Sequence, residues 1–250
     1  MKKLGIIGVG AFGEFMIRYL APFFDVLVHD SLRELDSVVA KFNVTPVDLE
    51  ICAQSYIVIL AVPVQAIEQV AKAIAGYVKP GALVLDVASV KVKPAEALSR
   101  TLPDHVEIVC THPLFGPQSA GAGISNMKIS VCNIRGDRHT AVIDFLRRDL
   151  QLDVMETTPD QHDKDLAYVQ GLTHLIGKIL LDMNLDGIRQ TTKSFDLVME
   201  GVRYLQNDSD QLFKAIEREN PYVPEVHRRF FDKAQQLENM LAGPNEKGLA

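Results

Sequence analysis

The sequence predicts an α/β domain built on a mostly parallel sheet, followed by an all-helical domain. Three observations predict it. Short apolar runs rich in Val and Ile recur as far as Ile134 without polar alternation, the pattern of strands buried on both faces. Helical patterns separate those runs, and strand alternating with helix implies βαβ crossovers and parallel pairing. After Glu156 only helical patterns remain.

The first run is Leu4–Val9, bounded by glycine, and a helix follows over Ala11–Ala21. Asp25–His29 leads into a helix over Leu32–Phe42, Tyr56–Val62 into Ala66–Tyr77, and Ala82–Val87 into Pro94–Leu102. Val106–Cys110 and Lys128–Ile134 complete the strands. The spacing places the domain boundary between 156 and 157. Thr158-Pro159-Asp160-Gln161 then starts a helix: Thr caps it, Pro suits the first turn, and Gln stands where a capping box places an amide or carboxylate. This amphipathic stretch runs to about Asn184. Further helices are expected over Thr191–Gln206, Ser209–Glu219 and Pro224–Leu241, and the tail Gly243–Ala250 is expected to fray. The domains are thus 1–156 and 157–250.

With 250 residues, 47% hydrophobic and 23% charged, the chain has an ordinary globular composition. A net charge of −6 argues against a nucleic-acid surface, so any anionic ligand must be met by local donors. Cys52, Cys110 and Cys132 make neither a disulfide framework nor a zinc spacing, and a reduced, cytoplasmic setting is the default. The apolar run after Lys2-Lys3 stops at Gly8, too short for a secretory core. No window approaches the roughly 18 apolar residues of a membrane span, and no membrane partner is expected.

Gly8-Val9-Gly10-Ala11-Phe12-Gly13 is G-x-G-x-x-G between the first strand and the first helix, the context that gives this motif meaning. Gly8 allows the tight turn, Gly10 lets the backbone approach a pyrophosphate, and Gly13 lets the helix pack on the strand. The helix N-terminus then faces the phosphates. This is a Rossmann-type dinucleotide site. Asp30 ends the second strand 22 positions after Gly8, near the roughly 20 expected of the ribose-binding acid. Its carboxylate would repel a 2′-phosphate, so NAD is expected over NADP. Arg33 bears on that choice, because an arginine there can hold the 2′-phosphate; it is read as a solvated helix residue. Val62 and Pro63 close the third strand and are expected to floor the cofactor site.

Two segments stand at the ends of the fourth and fifth strands: Asp86-Val87-Ala88-Ser89-Val90-Lys91, and Thr111-His112-Pro113-Leu114-Phe115-Gly116-Pro117-Gln118-Ser119. They carry D-x-x-S-V-K and H-P-x-F-G-P, and here the sequence resembles the prephenate and arogenate dehydrogenase family. Leu114 replaces the family's common Met, a swap of similar volume. The resemblance implies an NAD-dependent oxidative decarboxylation of prephenate or arogenate. In that reading His112 takes the proton of the ring hydroxyl, a task suited to an imidazole. Ser89 hydrogen-bonds the histidine and the hydroxyl, and Gln118 and Ser119 line the substrate pocket. Outside the family reading, Ser89 is equally a helix cap and Lys91 a solvated lysine.

The resemblance also implies a cationic grip on the substrate's side-chain carboxylate. Gln170, His174 and Lys178 share one helix face, and His174 resembles a second family histidine near the substrate. Arg203 resembles the family arginine, whose planar fork fits two oxygens; its alternative is a surface ion pair with Glu200. Arg189 and Arg228 are lesser candidates, and His105, His139, His162 and His227 are expected at the surface. The family implies a homodimer through the helical half. The long apolar helix likewise asks for more partners than so small a domain supplies. No acid lies between Gln118 and Gly123, which leans toward prephenate over the ammonium-bearing arogenate.

Two other readings share this layout. A β-hydroxyacid dehydrogenase or pyrroline-carboxylate reductase lacks the H-P-x-F-G-P loop, and the first would use a lysine such as Lys178. A nucleotide sensor without catalysis would not need Ser89, His112 and His174 together.

Overall fold

Eight strands form one sheet in the order β3-β2-β1-β4-β5-β6-β7-β8 in the computed structural model, which describes residues 1–185, 187–206 and 208–242. The expected fraying of 243–250 lies outside those residues. Among the described residues no helix is long and apolar enough to cross a membrane. The chain divides into two compact units that part between Asp163 and Lys164.

In the first unit, β1 (Lys3–Ile7), β2 (Asp25–His29), β4 (Ile57–Leu60), β5 (Leu83–Asp86), β6 (Glu107–Pro113) and β7 (Lys128–Arg135) match the six expected runs. Two short strands extend the edges, β3 (Thr45–Pro46) and β8 (Asp153–Glu156). Both are too brief to show a periodicity. All neighbours pair in parallel except β6 and β7, which are antiparallel. Strand order reverses between β1 and β4, and the crevice outside that switch point is where open α/β sheets bind ligands.

Because the central strands of the parallel part are covered on both faces, alternate residues feed two cores. Leu4, Ile6, Ile59, Leu85 and Val109 pack under α1 (Ala11–Leu20), α2 (Asp36–Phe42) and α6 (His139–Arg148). Val58, Leu60, Val84, Ile108 and Cys110 pack under α3 (Leu49–Ala53), α4 (Ile67–Ile74) and α5 (Val92–Thr101). α3 and α6 were not expected from the sequence, although Val142, Ile143 and Leu146 carry a helical spacing. α2 begins at Asp36 rather than Leu32, because the Asp30 carboxylate accepts the N–H groups of Leu32 and Arg33 and holds that stretch as a turn.

The expected division at 156/157 falls at the end of β8. The first turns of α7 (Pro159–Leu166), however, carry His162 and Asp163 into the buried interior of the first unit. In the second unit a π-helical segment, Ala167–Leu172, leads into α8 (Thr173–Asp182), followed by α9 (Lys193–Leu205), α10 (Asp210–Glu219) and α11 (Val223–Leu241). Thr192 and Ser209 cap α9 and α10 by accepting the N–H groups of Phe195 and Leu212. The buried apolar cluster here is small: Ala167, Val223 and Val226, with Leu172 and Tyr222 against it. Ile179, Leu197, Val198, Tyr204, Phe231 and Leu237 remain exposed.

Candidate active site

The glycine turn follows β1. Gly8 has φ +95°, and a Cβ there would lie 2.6 Å from the carbonyl oxygen of Ala61 and 2.9 Å from Val62 Cγ1. A Cβ at Gly13 would lie 2.2 Å from the Gly8 carbonyl oxygen. These two glycines therefore let α1 start hard against β1 and β4. At Gly10 a Cβ would meet nothing within 4 Å, so its missing side chain opens space ahead of the helix N-terminus. Ala11 is exposed and Phe12 turns its ring toward Phe15, 5.7 Å away. Both therefore offer a ligand mainly their backbone N–H groups. Val62 abuts the turn, and Pro63 leads into a 3-10 turn over Val64–Ala66.

Asp30 reaches back to this loop. Its carboxylate accepts the N–H of Val9 at 2.7 Å, of Leu32 at 2.8 Å and of Arg33 at 3.0 Å. Partial burial alone would raise its pKa; the three N–H groups together hold it below the ordinary value. About four lone-pair sites are available on a carboxylate, which leaves room for one ribose hydroxyl. Arg33 is not a solvated helix residue. Its guanidinium donates to the Val9 carbonyl at 2.7 Å and to Glu14 at 2.8 Å, and Lys41 bonds the same Glu14 at 2.9 Å.

At the ends of β5 and β6 lies a buried ion pair. Lys91, expected in solvent, is 0% exposed. Its ammonium donates to Asp86 and, at 2.6 Å, to the Thr111 carbonyl. Asp86 also accepts the N–H of Ala88 at 2.9 Å, and the Thr111 hydroxyl donates to the Asp86 carbonyl at 2.7 Å. The residue before the catalytic candidate is therefore clamped to the D-x-x-S-V-K segment.

His112 follows, 5% exposed near the end of β6. Burial first, then the nearby His162 and Lys91, push its pKa well below 6.5, so the ring is neutral. Its Nδ1 lies 2.9 Å from Nε2 of His162, and Nδ1 of His162 lies 2.7 Å from Asp163 Oδ1. Asp163 also accepts the backbone N–H groups of Lys91 at 2.7 Å and Val92 at 2.9 Å, capping α5 from α7. His162, expected at the surface, is 1% exposed. The cap that the sequence offered to Ser89 belongs to Asp163. Ser89 is buried beside this cluster in sequence, but among the described residues it makes no hydrogen bond to His112. Gln118 and Ser119 are exposed, and the Ser119 hydroxyl accepts the N–H of Gly116 in a local turn at 3.0 Å.

In the second unit, His174 is buried with both nitrogens engaged. Nδ1 lies 2.9 Å from the Gln170 carbonyl and Nε2 lies 3.1 Å from Asp208. Both partners are acceptors, an arrangement that favours the ring form with two N–H groups. Burial alone would lower its pKa, but Asp208 and the Gln170 carbonyl raise it above the ordinary value. Glu217 stands 2.8 Å from His227, half-buried rather than at the surface, and burial pushes Glu217 up to about 7. Arg203 is exposed and makes no ion pair with Glu200 among the described residues. Lys178 is exposed and pairs with Asp182, and Arg228 pairs with Glu225 and Asp232. His105 is exposed and His139 half-buried.

Comparison with known proteins identifies the family. The family model for the nucleotide-binding domain of prephenate dehydrogenase matches residues 31–129. A cyclohexadienyl dehydrogenase of Zymomonas mobilis is 30% identical over 200 residues, 73% of this chain and 67% of the relative. The chain belongs to the prephenate/arogenate dehydrogenase family. A probable arogenate/prephenate dehydrogenase of Methanocaldococcus jannaschii is 27% identical over 96% of this chain, and the chain spans 57% of that relative's length. The crystal structure of prephenate dehydrogenase from Aquifex aeolicus superposes with a TM-score of 0.78 over 99% of this chain and 94% of that one; at 20% identity this likeness speaks for the fold alone. Both motif segments of this family member, Asp86–Lys91 and His112–Pro117, lie inside the matched residues. His162 and Asp163 lie beyond them. The sequence did carry a signal for this pair, an adjacent His-Asp on the first turn of a capped helix, but a polar helix start reads as solvated.

Two predictions follow from these charges. Removing one partner of a buried ion pair leaves the other uncompensated, at about 3–5 kcal/mol. Lys91→Met therefore lowers the unfolding free energy of the first unit by about that amount in urea titration followed by circular dichroism, and a loss under about 1 kcal/mol rejects the clamp. The second concerns pH. Folded Glu217 keeps its proton between about 4.5 and about 7, where the unfolded chain has lost it, so stability falls as pH rises through that window. His174, also raised, has the same sign. Glu217→Gln should match wild type in thermal midpoint at pH 5 and exceed it at pH 8, by up to about 3 kcal/mol. A difference that does not grow with pH defeats this account.

Proposed function

We propose that the chain catalyses the NAD-dependent oxidative decarboxylation of prephenate or arogenate. The observation that carries the proposal is a neutral, buried imidazole, His112, at the same sheet edge as the glycine turn, with Nδ1 occupied by His162 and Nε2 left for a substrate. The first unit serves as the dinucleotide-binding domain and the helical unit as the substrate and dimerisation domain.

The cofactor fits the turn after β1. The open space at Gly10 and the N–H groups from Ala11, Phe12 and Gly13 suit a pyrophosphate, Gly8, Val62 and Pro63 shape the floor, and Asp30 takes a ribose hydroxyl. The Asp30 carboxylate and the engagement of Arg33 by Glu14 favour NAD over NADP. When bound, NAD accepts the hydride from the ring carbinol carbon. His112 takes the hydroxyl proton as that carbon becomes a carbonyl. The ring carboxylate then leaves as carbon dioxide, its bonding pair aromatises the ring, and the proton returns to the resulting phenolate oxygen. Ser89 holds the hydroxyl toward His112. In the first unit Gln118 and Ser119 are candidates to contact the substrate, and in the helical unit His174 and Arg203 are candidate cations for a carboxylate.

Purified protein with NAD and prephenate or arogenate should form NADH, read at its absorbance band, and comparison of the two substrates assigns the side chain. His112→Asn should lose 10²–10⁴-fold in kcat with its circular dichroism unchanged, on the order of a general base's contribution. The acid limb of kcat/KM should lie below 6.5, since the imidazole must be neutral. Wild-type turnover by His112→Asn ends the proposal.

The helical unit supports a second part of the reading, a homodimer. Its own buried cluster is small while Ile179, Leu197, Val198, Phe231 and Leu237 are exposed, and exposed apolar surface of this kind marks association. Sedimentation equilibrium should give twice the chain mass at micromolar concentration; a monomer there rejects the dimer.

A further inference from the structure

We propose that His162 and Asp163 are positioning residues that hold His112 in the tautomer whose Nε2 carries the lone pair. This rests on the reading of His112 as the group that takes the hydroxyl proton, and it explains why that nitrogen is an acceptor.

The argument starts from donors that cannot change role. The backbone N–H groups of Lys91 and Val92 only donate, and they point at Oδ1 and Oδ2 of Asp163 at 2.7 and 2.9 Å. Asp163 is thereby an acceptor at both oxygens. Nδ1 of His162 lies 2.7 Å from Oδ1, so it carries the hydrogen. A neutral imidazole has one N–H and one lone pair, so Nε2 of His162 is the acceptor. It lies 2.9 Å from Nδ1 of His112, and that nitrogen in turn carries a hydrogen. The lone pair of His112 is left on Nε2. Reversing the chain would place a hydrogen on Nε2, and His112 would then donate to a hydroxyl that has to lose its own proton.

Neutrality of the His112 ring is enforced by the surroundings. The groups around His112 are His162 and Asp163 from α7, Lys91 ahead of α5 and Asp86 at the end of β5, and the Lys91 cation opposes a second positive charge nearby. When Nε2 takes the hydroxyl proton, the new charge is shared along the chain: His112 Nδ1–H moves toward His162 Nε2, whose far side faces the Asp163 carboxylate. The proton goes back from Nε2 to the phenolate oxygen after decarboxylation, so the chain ends each cycle in its starting tautomer. Asp163 also caps α5, so one carboxylate fixes the helix after the D-x-x-S-V-K segment and the orientation of the base.

The test uses the full chain. Nitrogen-15 NMR of the free wild-type protein should show His112 with Nδ1 protonated and Nε2 bare. Asp163→Asn, whose amide can donate to His162, should reverse both rings. In steady-state assays with NAD and the preferred substrate, Asp163→Asn and His162→Phe should lower kcat by roughly 10²–10⁴-fold, the range of a general base's contribution, with KM for NAD within about threefold. His162→Gln, whose amide oxygen accepts His112 Nδ1–H, should stay within about tenfold of wild type. A wild-type His112 protonated at Nε2 overturns the proposal, as does equal loss in His162→Gln and His162→Phe. If Asp163→Asn does not fold, the wild-type spectrum and the two His162 variants decide. Absence of turnover by wild type on either substrate would refute the reaction proposed above, while the NMR result would still stand for or against this one.

Discussion

The Lys91 ammonium, enclosed between Asp86 and the Thr111 carbonyl, is the constraint on which the site depends. A buried charge costs several kcal/mol unless it is paired and hydrogen-bonded. Its partners come from the ends of β5 and β6, and its own backbone begins α5. Satisfying one cation therefore requires two strand ends and a helix start to meet within hydrogen-bond distance. That meeting fixes the segments that carry Ser89 and His112 at the edge of the sheet that also carries the glycine turn. Strands define direction well but leave the loops after them free; here the ion pair removes that freedom.

The same cluster shows why the histidine and the lysine must be handled together. Two nearby cations in a buried site repel, and burial together with the neighbouring His162 and Lys91 keeps His112 neutral. Lys91 has its carboxylate, and His112 has only another imidazole. The carboxylate of Asp163 enters at one remove, through His162, and its backbone bonds at the start of α5 stop it from moving closer. In the helical unit the opposite logic holds. His174 is flanked by two acceptors, which raise its pKa above the ordinary value, while burial raises that of Glu217 to about 7.

The formal charge of −6 across the chain is consistent with this economy of cations. Arg33 and Lys41 are both drawn to Glu14, which neutralises part of the basic charge near Asp30.

Much was determined by the sequence alone. Six of the strands, the glycine turn, Asp30 at the end of β2 and the two motif segments are legible because each depends on local periodicity, on glycine's missing side chain or on a contiguous motif. Only the tertiary structure decided the rest. Lys91 looks like a solvated lysine until Asp86 and Thr111, distant in the chain, enclose it. His162 and Asp163 look like a polar helix start until α7 packs them against His112 and α5, and Ser89 looks like a cap until Asp163 takes that place. The short edge strands needed neighbours to form at all. In every such case the deciding interaction joins residues far apart in the chain, and burial, which turns a polar side chain into part of a site, is a property of packing that no local pattern contains.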